Sequence, residues 1–305
     1  MLPSYTHAKP ESATPAGFER PLKENSMSYK SMLVHLDDDR RCGARIDMAA
    51  QLALSFDAHL TGLCVMSQPE LPRYARTRMG ADLFHEKYRE IQREHIETMK
   101  TLFNDHTKRS GMPNAEVRVA EHDPVYSVTV HARYADLLIM GQADPEEDHA
   151  MMNPDFVDLV LLAAGRPMLV IPYTGTFPTI GKNILVAWDA SREAARAVAD
   201  ALPLLQRAGK VTVFAVNPGK TGDHGKQPGA DIALFLARHG VKVEAAASES
   251  GGMEVGPWLL SRAADLGSDL IVMGGYGHSR LRELALGGVT RTMLQHMTVP
   301  VLMSH

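Results

Sequence analysis

Residues 269–304 read DLIVMGGYGHSRLRELALGGVTRTMLQHMTVPVLMS. An apolar run, Leu270–Met273, leads into Gly274-x-x-Gly277. Nine residues later Gly287-Gly288 opens a helix-like run, and Val299–Met303 is apolar again. Glycines just past a parallel strand, with two more where the next helix begins, leave main chain without Cβ obstruction. Helix-start N–H groups and the macrodipole then favour an anion such as a phosphate.

Working outward, the same signals occur twice. Asp136-LLIMG-Gln142 repeats as Asp269-LIVMG-Gly275, and Arg166-PMLVIP matches Val299-PVLMS, both at an offset of 133 residues (Gly141 to Gly274). Ser31-MLVHLD-Asp38 repeats as Asn183-ILVAWD-Ala190 at an offset of 152 (Ser31 to Asn183), so the first copy carries about 19 extra residues, expected in Gln68–Tyr88. The expected strands of the second copy are 183–189, 210–216, 241–247, 269–274 and 299–303. Helical patterns lie between them at 191–208, 229–239, 255–266 and 288–296. In the first copy strands are expected at 31–37, 59–65, 115–120, 136–141 and 167–172, with a long charged helix over 81–109 carrying a stripe of Tyr88, Ile91, Ile96, Met99 and Leu102. Near-continuous apolar strands alternating with helices predict parallel sheets covered on both faces. The division expected is a leader or extension at 1–29, a first domain at 30–173, a linker at 174–182 and a second domain at 183–305. Both domains are α/β doubly wound parallel-sheet units of Rossmann-like type.

The spacing G-x2-G-x9-G, the strand-one Asp189 in ILVAWDASREAARA and the closing PVLM strand resemble the universal stress protein family, from Met32 to Met303. The resemblance implies an adenine-nucleotide-binding fold whose domains pair through their last strands, here as an intrachain pseudo-dimer. It implies that Ala187 and Trp188 lie against the base, that Asp189 reaches the ribose or a bound Mg²⁺, and that Val216 offers backbone to the adenine edge. Gly274, Gly277 and Gly287 would wrap the phosphates of ATP or AMP, with Val289 beside them. The family's Ser or Thr after the last glycine is here Gly288, which removes a hydroxyl donor; Thr290 is the expected substitute. Trp188 either stacks on the base or blocks its pocket. Arg280, Arg282, Arg291 and His278 stand in or beside the loop, where each is either a phosphate partner or a solvated charge.

At the 133-residue offset the first copy keeps Gly141 but has Asp144, Pro154 and Asp155 where the second has Gly277, Gly287 and Gly288. Carboxylates in DPEED (144–148) repel a triphosphate, and Pro154 removes a donor. No triphosphate is expected there. Asp37-Asp38-Asp39 reads as the strand-one acid plus turn residues rather than a metal pocket.

Composition narrows the function classes. With 305 residues, 45% of them hydrophobic, the chain can bury a large core, and a net charge of −4 leaves no footprint for nucleic acid or a membrane surface. No apolar run approaches the roughly 20 residues of a membrane span. Two cysteines, Cys42 and Cys64, without zinc-like spacing suit a reducing cytoplasm. The 14 histidines form no metal motif; His35 is expected to pack, His95 and His106 to be solvated. Met140, Met168, Met273 and Met303 read as core, and Met151-Met152 as packing or an exposed surface. No nucleophile elbow is present. The expectation is a cytoplasmic stress-response protein that binds nucleotide in its second domain and is regulatory rather than catalytic. A protein partner, unidentified, and a homodimer accompany that reading. The alternatives are a nucleotide-free scaffold of the same fold and a slow ATPase using Asp189 and His278.

Overall fold

In the computed structural model, the residues described are 28–66, 78–112, 114–146, 155–216, 229–248, 250–277 and 288–305. The first half runs β1 (Ser31–Leu36), α1 (Cys42–Phe56), β2 (His59–Val65), α2 (Arg78–Arg109), β3 (Glu116–Ala120), α3 (Pro124–Ala132), β4 (Leu137–Gly141), α4 (Phe156–Ala164) and β5 (Met168–Ile171). The second runs β6 (Asn183–Trp188), α5 (Arg192–Arg207), β7 (Lys210–Val216), α6 (Ala230–Arg238), β8 (Val243–Ser248), α7 (Val255–Leu266), β9 (Leu270–Gly274), α8 (Val289–His296) and β10 (Val301–Ser304). Among the described residues ten strands form one sheet in the order β3-β2-β1-β4-β5-β10-β9-β6-β7-β8. Each half is a parallel, doubly wound unit, as the alternation of apolar runs predicts.

Both faces of the sheet are covered, which is why its strands are apolar without alternation. Met32, Val34, Ile184 and Val186 pack under the layer of α1, α2, α5 and α6. Leu33 and Leu185 point the other way, under α3, α4, α7 and α8. The four methionines expected in the core are there. A repeated aspartate ties the start of each half. Asp136 accepts from the N–H groups of Lys30 and Ser31, and Asp269 accepts from those of Gly181, Lys182 and Asn183.

The halves join through β5 and β10, the one antiparallel pair among the described residues, with Met168 opposite Met303, Leu169 opposite Leu302 and Val170 opposite Val301. All six side chains are fully buried. Antiparallel pairing of two last strands is what a two-fold relation between copies demands, and it removes two sheet edges at once. Around this seam the Tyr29 hydroxyl donates to the Asp200 carbonyl and the Ser304 hydroxyl to the Asp200 carboxylate.

Four expectations need correction or relocation. The extra length of the first copy lies largely within helix two itself, 32 residues in α2 against nine in α6. Its buried stripe is Ile96, Met99 and Phe103, which pack into the core, whereas Ile91 is 53% exposed. His106 is not solvated: its Nδ1 lies 2.7 Å from Asp47 Oδ1, between α1 and α2. Tyr29, assigned to the leader from sequence, is buried against Phe56. Residues 1–27 and Met151-Met152 fall outside the described residues.

Candidate functional site

The strand tips of the second half bring together several of the residues singled out above. Ala187 and Trp188 end β6, both half-buried and on opposite faces. Val216 ends β7, opposite Ser248. Asp189 is exposed beyond the tip, and its Oδ1 accepts from the Ser191 N–H at 2.9 Å and the Ser191 hydroxyl at 2.6 Å. That hydroxyl in turn accepts from the Ala194 N–H and caps α5. Asp189 therefore forms the outer end of a capping chain.

The glycine loop is set by packing as much as by any ligand. A Cβ on Gly274 would stand 2.6 Å from the Ala194 nitrogen and 2.7 Å from the Glu193 carbonyl carbon, so the first turn of α5 presses directly on the end of β9. A Cβ on Gly277 would meet Glu193 Oε2 at 3.3 Å. Glu193, 3% exposed, is a buried carboxylate beside the second motif glycine, paired with Arg192 Nε. Reading the sequence missed it; its signal was an acid in the first turn of a helix whose start faces glycines.

Between these glycines Tyr276 takes a left-handed backbone (φ 55) and is buried. Its N–H donates to Thr290 Oγ1 at 3.0 Å. The hydroxyl expected to replace the missing side chain at Gly288 is thus engaged within the protein, closing the loop onto α8. Gly288 is the N-cap of α8, in extended backbone with no side-chain cap, and Val289 is half-buried behind it. Arg291 lies 3.5 Å from Asp155 on α4. Gly287, His278, Arg280 and Arg282 fall outside the described residues.

The corresponding place in the first half is filled by charge pairs. Arg45, the counterpart of Ala197, is buried with its guanidinium on Asp37 Oδ1 and 3.9 Å from Asp39 Oδ2. It sits where a Cβ on Gly141 would be. His35, packed as expected, places Nδ1 3.4 Å from Asp37 Oδ2 and tilts against Phe156. Burial alone would raise the Asp37 carboxyl, but Arg45 and His35 outweigh it and hold Asp37 well below the usual carboxylate range. Asp144, at the position of Gly277, turns inward instead of lining an acidic surface and meets Arg40 Nη2 at 2.5 Å. Glu147, Asp148 and Pro154 fall outside the described residues. Among the described residues no three His, Cys, Asp or Glu side chains are grouped to hold a metal ion, and no helix is long and apolar enough to cross a membrane.

Fold and site together define a class: two doubly wound α/β units fused through their last strands, one keeping glycines at its strand tips and the other carrying charge pairs there. Residues 181–305 match the sequence model of the universal stress protein family. A universal stress protein of Synechocystis sp. is 27% identical over 174 residues, covering 55% of this chain and 57% of that protein, so the match spans little more than half of that relative. Among solved structures, a universal stress protein from Archaeoglobus fulgidus DSM 4304 superposes with a TM-score of 0.69 at 17% identity, over 90% of this chain and 97% of that one. A protein of unknown function from Pseudomonas aeruginosa PAO1 gives 0.54 at 14% identity, over 90% and 92%. By sequence, residues 181–305 match the universal stress protein family; over the chain as a whole, the likeness to the solved structures is one of fold.

Proposed function

We propose that this protein binds one adenine nucleotide, AMP or ATP, at the strand tips of the C-terminal half, and that binding is regulatory rather than catalytic. The observation that carries this reading is the loop from β9 to α8. Tyr276 and Thr290 clip its two ends together, and Gly288 is the N-cap of α8, whose N-terminal end favours an anion. Gly274, Gly277, Gly287 and Gly288 would hold phosphate through backbone, Val289 and Thr290 would support them from α8, and Ala187, Trp188 and Val216 would flank the base. Asp189 would take the ribose or an accompanying Mg²⁺. Opposing charge is limited, because the Glu193 carboxylate is already matched by Arg192. The first half has no nucleotide site of its own: Arg45, Asp37, Arg40 and Asp144 stand at its strand tips. A cytoplasmic setting, a protein partner and a homodimer belong to the same proposal, as does the division into domains at residues 174–182.

Two further readings stay open on specific grounds. The engaged Thr290 hydroxyl and the buried Glu193 favour a nucleotide-free scaffold, and exposed Asp189 is an acid that a slow ATPase could use. Titration calorimetry with AMP and ATP, beside mass spectrometry of small molecules released from fresh protein, separates them. One site per chain is expected. No heat at about millimolar nucleotide, the weak end of specific affinity, sinks the proposal, and two equal sites sink the assignment to one half. Steady ADP release lost in Asp189→Asn would favour the enzyme.

A further inference from the structure

Both arms of the nucleotide loop are held from the opposite half of the molecule. The Tyr276 hydroxyl donates to Asp158 Oδ1 on α4. Arg291, in the first turn of α8, pairs with Asp155. Gln142, buried just after β4, donates from Nε2 to the Leu294 carbonyl of α8 at 2.9 Å. Gly275 lies so close to α4 that a Cβ would stand 2.8 Å from Leu161. In the repeat, Gln142 is the counterpart of Gly275 and Leu161 of Leu294, so these two contacts are images of each other across the pseudo-two-fold. The Tyr276–Asp158 bond has no image. Its counterparts are Ala143, which carries no hydroxyl, and Arg291. The tether exists only where the glycines are kept. A left-handed tyrosine persists only when its surroundings over-determine it, and here those surroundings include the other half.

From this geometry, and resting on the proposed nucleotide site, we infer that Asp158 and Gln142 of the N-terminal half are positioning residues for the glycine loop of the C-terminal half. The half with charge pairs at its strand tips is a buttress: its α4 sets where Tyr276, and with it Gly274 to Gly277, stands relative to Gly288. Ligand binding between loop and α8 is thereby coupled to the packing of α4.

The test uses the full chain, AMP as probe, and the variants Asp158→Asn, Asp158→Leu, Tyr276→Phe and the Asp158→Leu/Tyr276→Phe double. Asp158→Leu and Tyr276→Phe each weaken AMP binding about fivefold to tenfold, within the worth of a typical hydrogen bond. Asp158→Asn still accepts the hydroxyl and stays within about twofold, and the double variant is no weaker than the worse single. Unchanged affinity in both singles, or multiplied losses in the double, overturns the inference, thermal melts having established that each variant is folded. Hydrogen exchange without ligand reads the same coupling independently. In Asp158→Leu the amides of Tyr276 and of residues 288–292 exchange faster, while those of β1 and β2 do not. If wild-type protein binds no AMP, the proposed function fails, and the inference then stands or falls on that exchange pattern alone.

Discussion

Arg45 shows how one residue decides the character of a site. In sequence it stands in an unremarked stretch of α1, at a position where the other copy has alanine. Folded, it neutralises Asp37 and fills the volume beside Gly141. A buried ion pair adds little net stability over apolar packing, yet removing one partner leaves the other charge uncompensated. Arg45→Met is therefore expected to cost about 3–5 kcal/mol at pH 7, read from urea denaturation midpoints. The pH dependence follows from Asp37. Its folded pKa lies below the unfolded value of about 3.9, so its stabilisation is present above about pH 4 and fades as the pH falls further. The deficit of the variant should narrow on acidification; a gap that widens contradicts this account. The same residue scale separates legible from illegible chemistry. Asp144 was visible as a departure from the glycine pattern, but its inward turn onto Arg40 was not.

At the scale of elements, the start of α5 joins backbone chemistry to the site. Asp189 holds Ser191, Ser191 caps the helix, and the capped turn packs against Gly274. Ser191→Ala is expected to lower stability by about 1 kcal/mol, the usual worth of such a cap, measured by denaturant unfolding. A loss below a few tenths would mean that Asp189 or solvent satisfies the same amide. Strands and most helices were legible because their apolar periodicity follows from being covered on both faces. Helix α2 was legible in extent but not in orientation. A charged helix offers several weak stripes, and only the position of the sheet selects Ile96, Met99 and Phe103 over Ile91. His106 was misread for the same reason, since Asp47 reaches it from another helix.

For the whole molecule, the seam between β5 and β10 makes one sheet of two repeats. The six fully buried side chains across it, with the contacts of Asp158, Asp155 and Gln142, join the halves across the sheet in addition to the connection at 174–182. Proteolytic cleavage within 174–182 is therefore expected to leave the two fragments co-eluting on gel filtration, parting only in denaturant. Fragments that separate in native buffer would show that the connection, not the seam, holds the pair.

The repeat, its parallel-sheet character, the last-strand pairing implied by family resemblance and the loss of glycines from one copy were all present in residue order. Each rests on local spacing and periodicity, which survive in one dimension. What tertiary structure alone decided is which charges meet. Arg45 with Asp37, Arg40 with Asp144, Glu193 beside Gly277 and Tyr276 on Asp158 join residues up to 118 positions apart. Such contacts are chosen by the crossing of helices over a shared sheet, and no periodicity in the chain records that crossing.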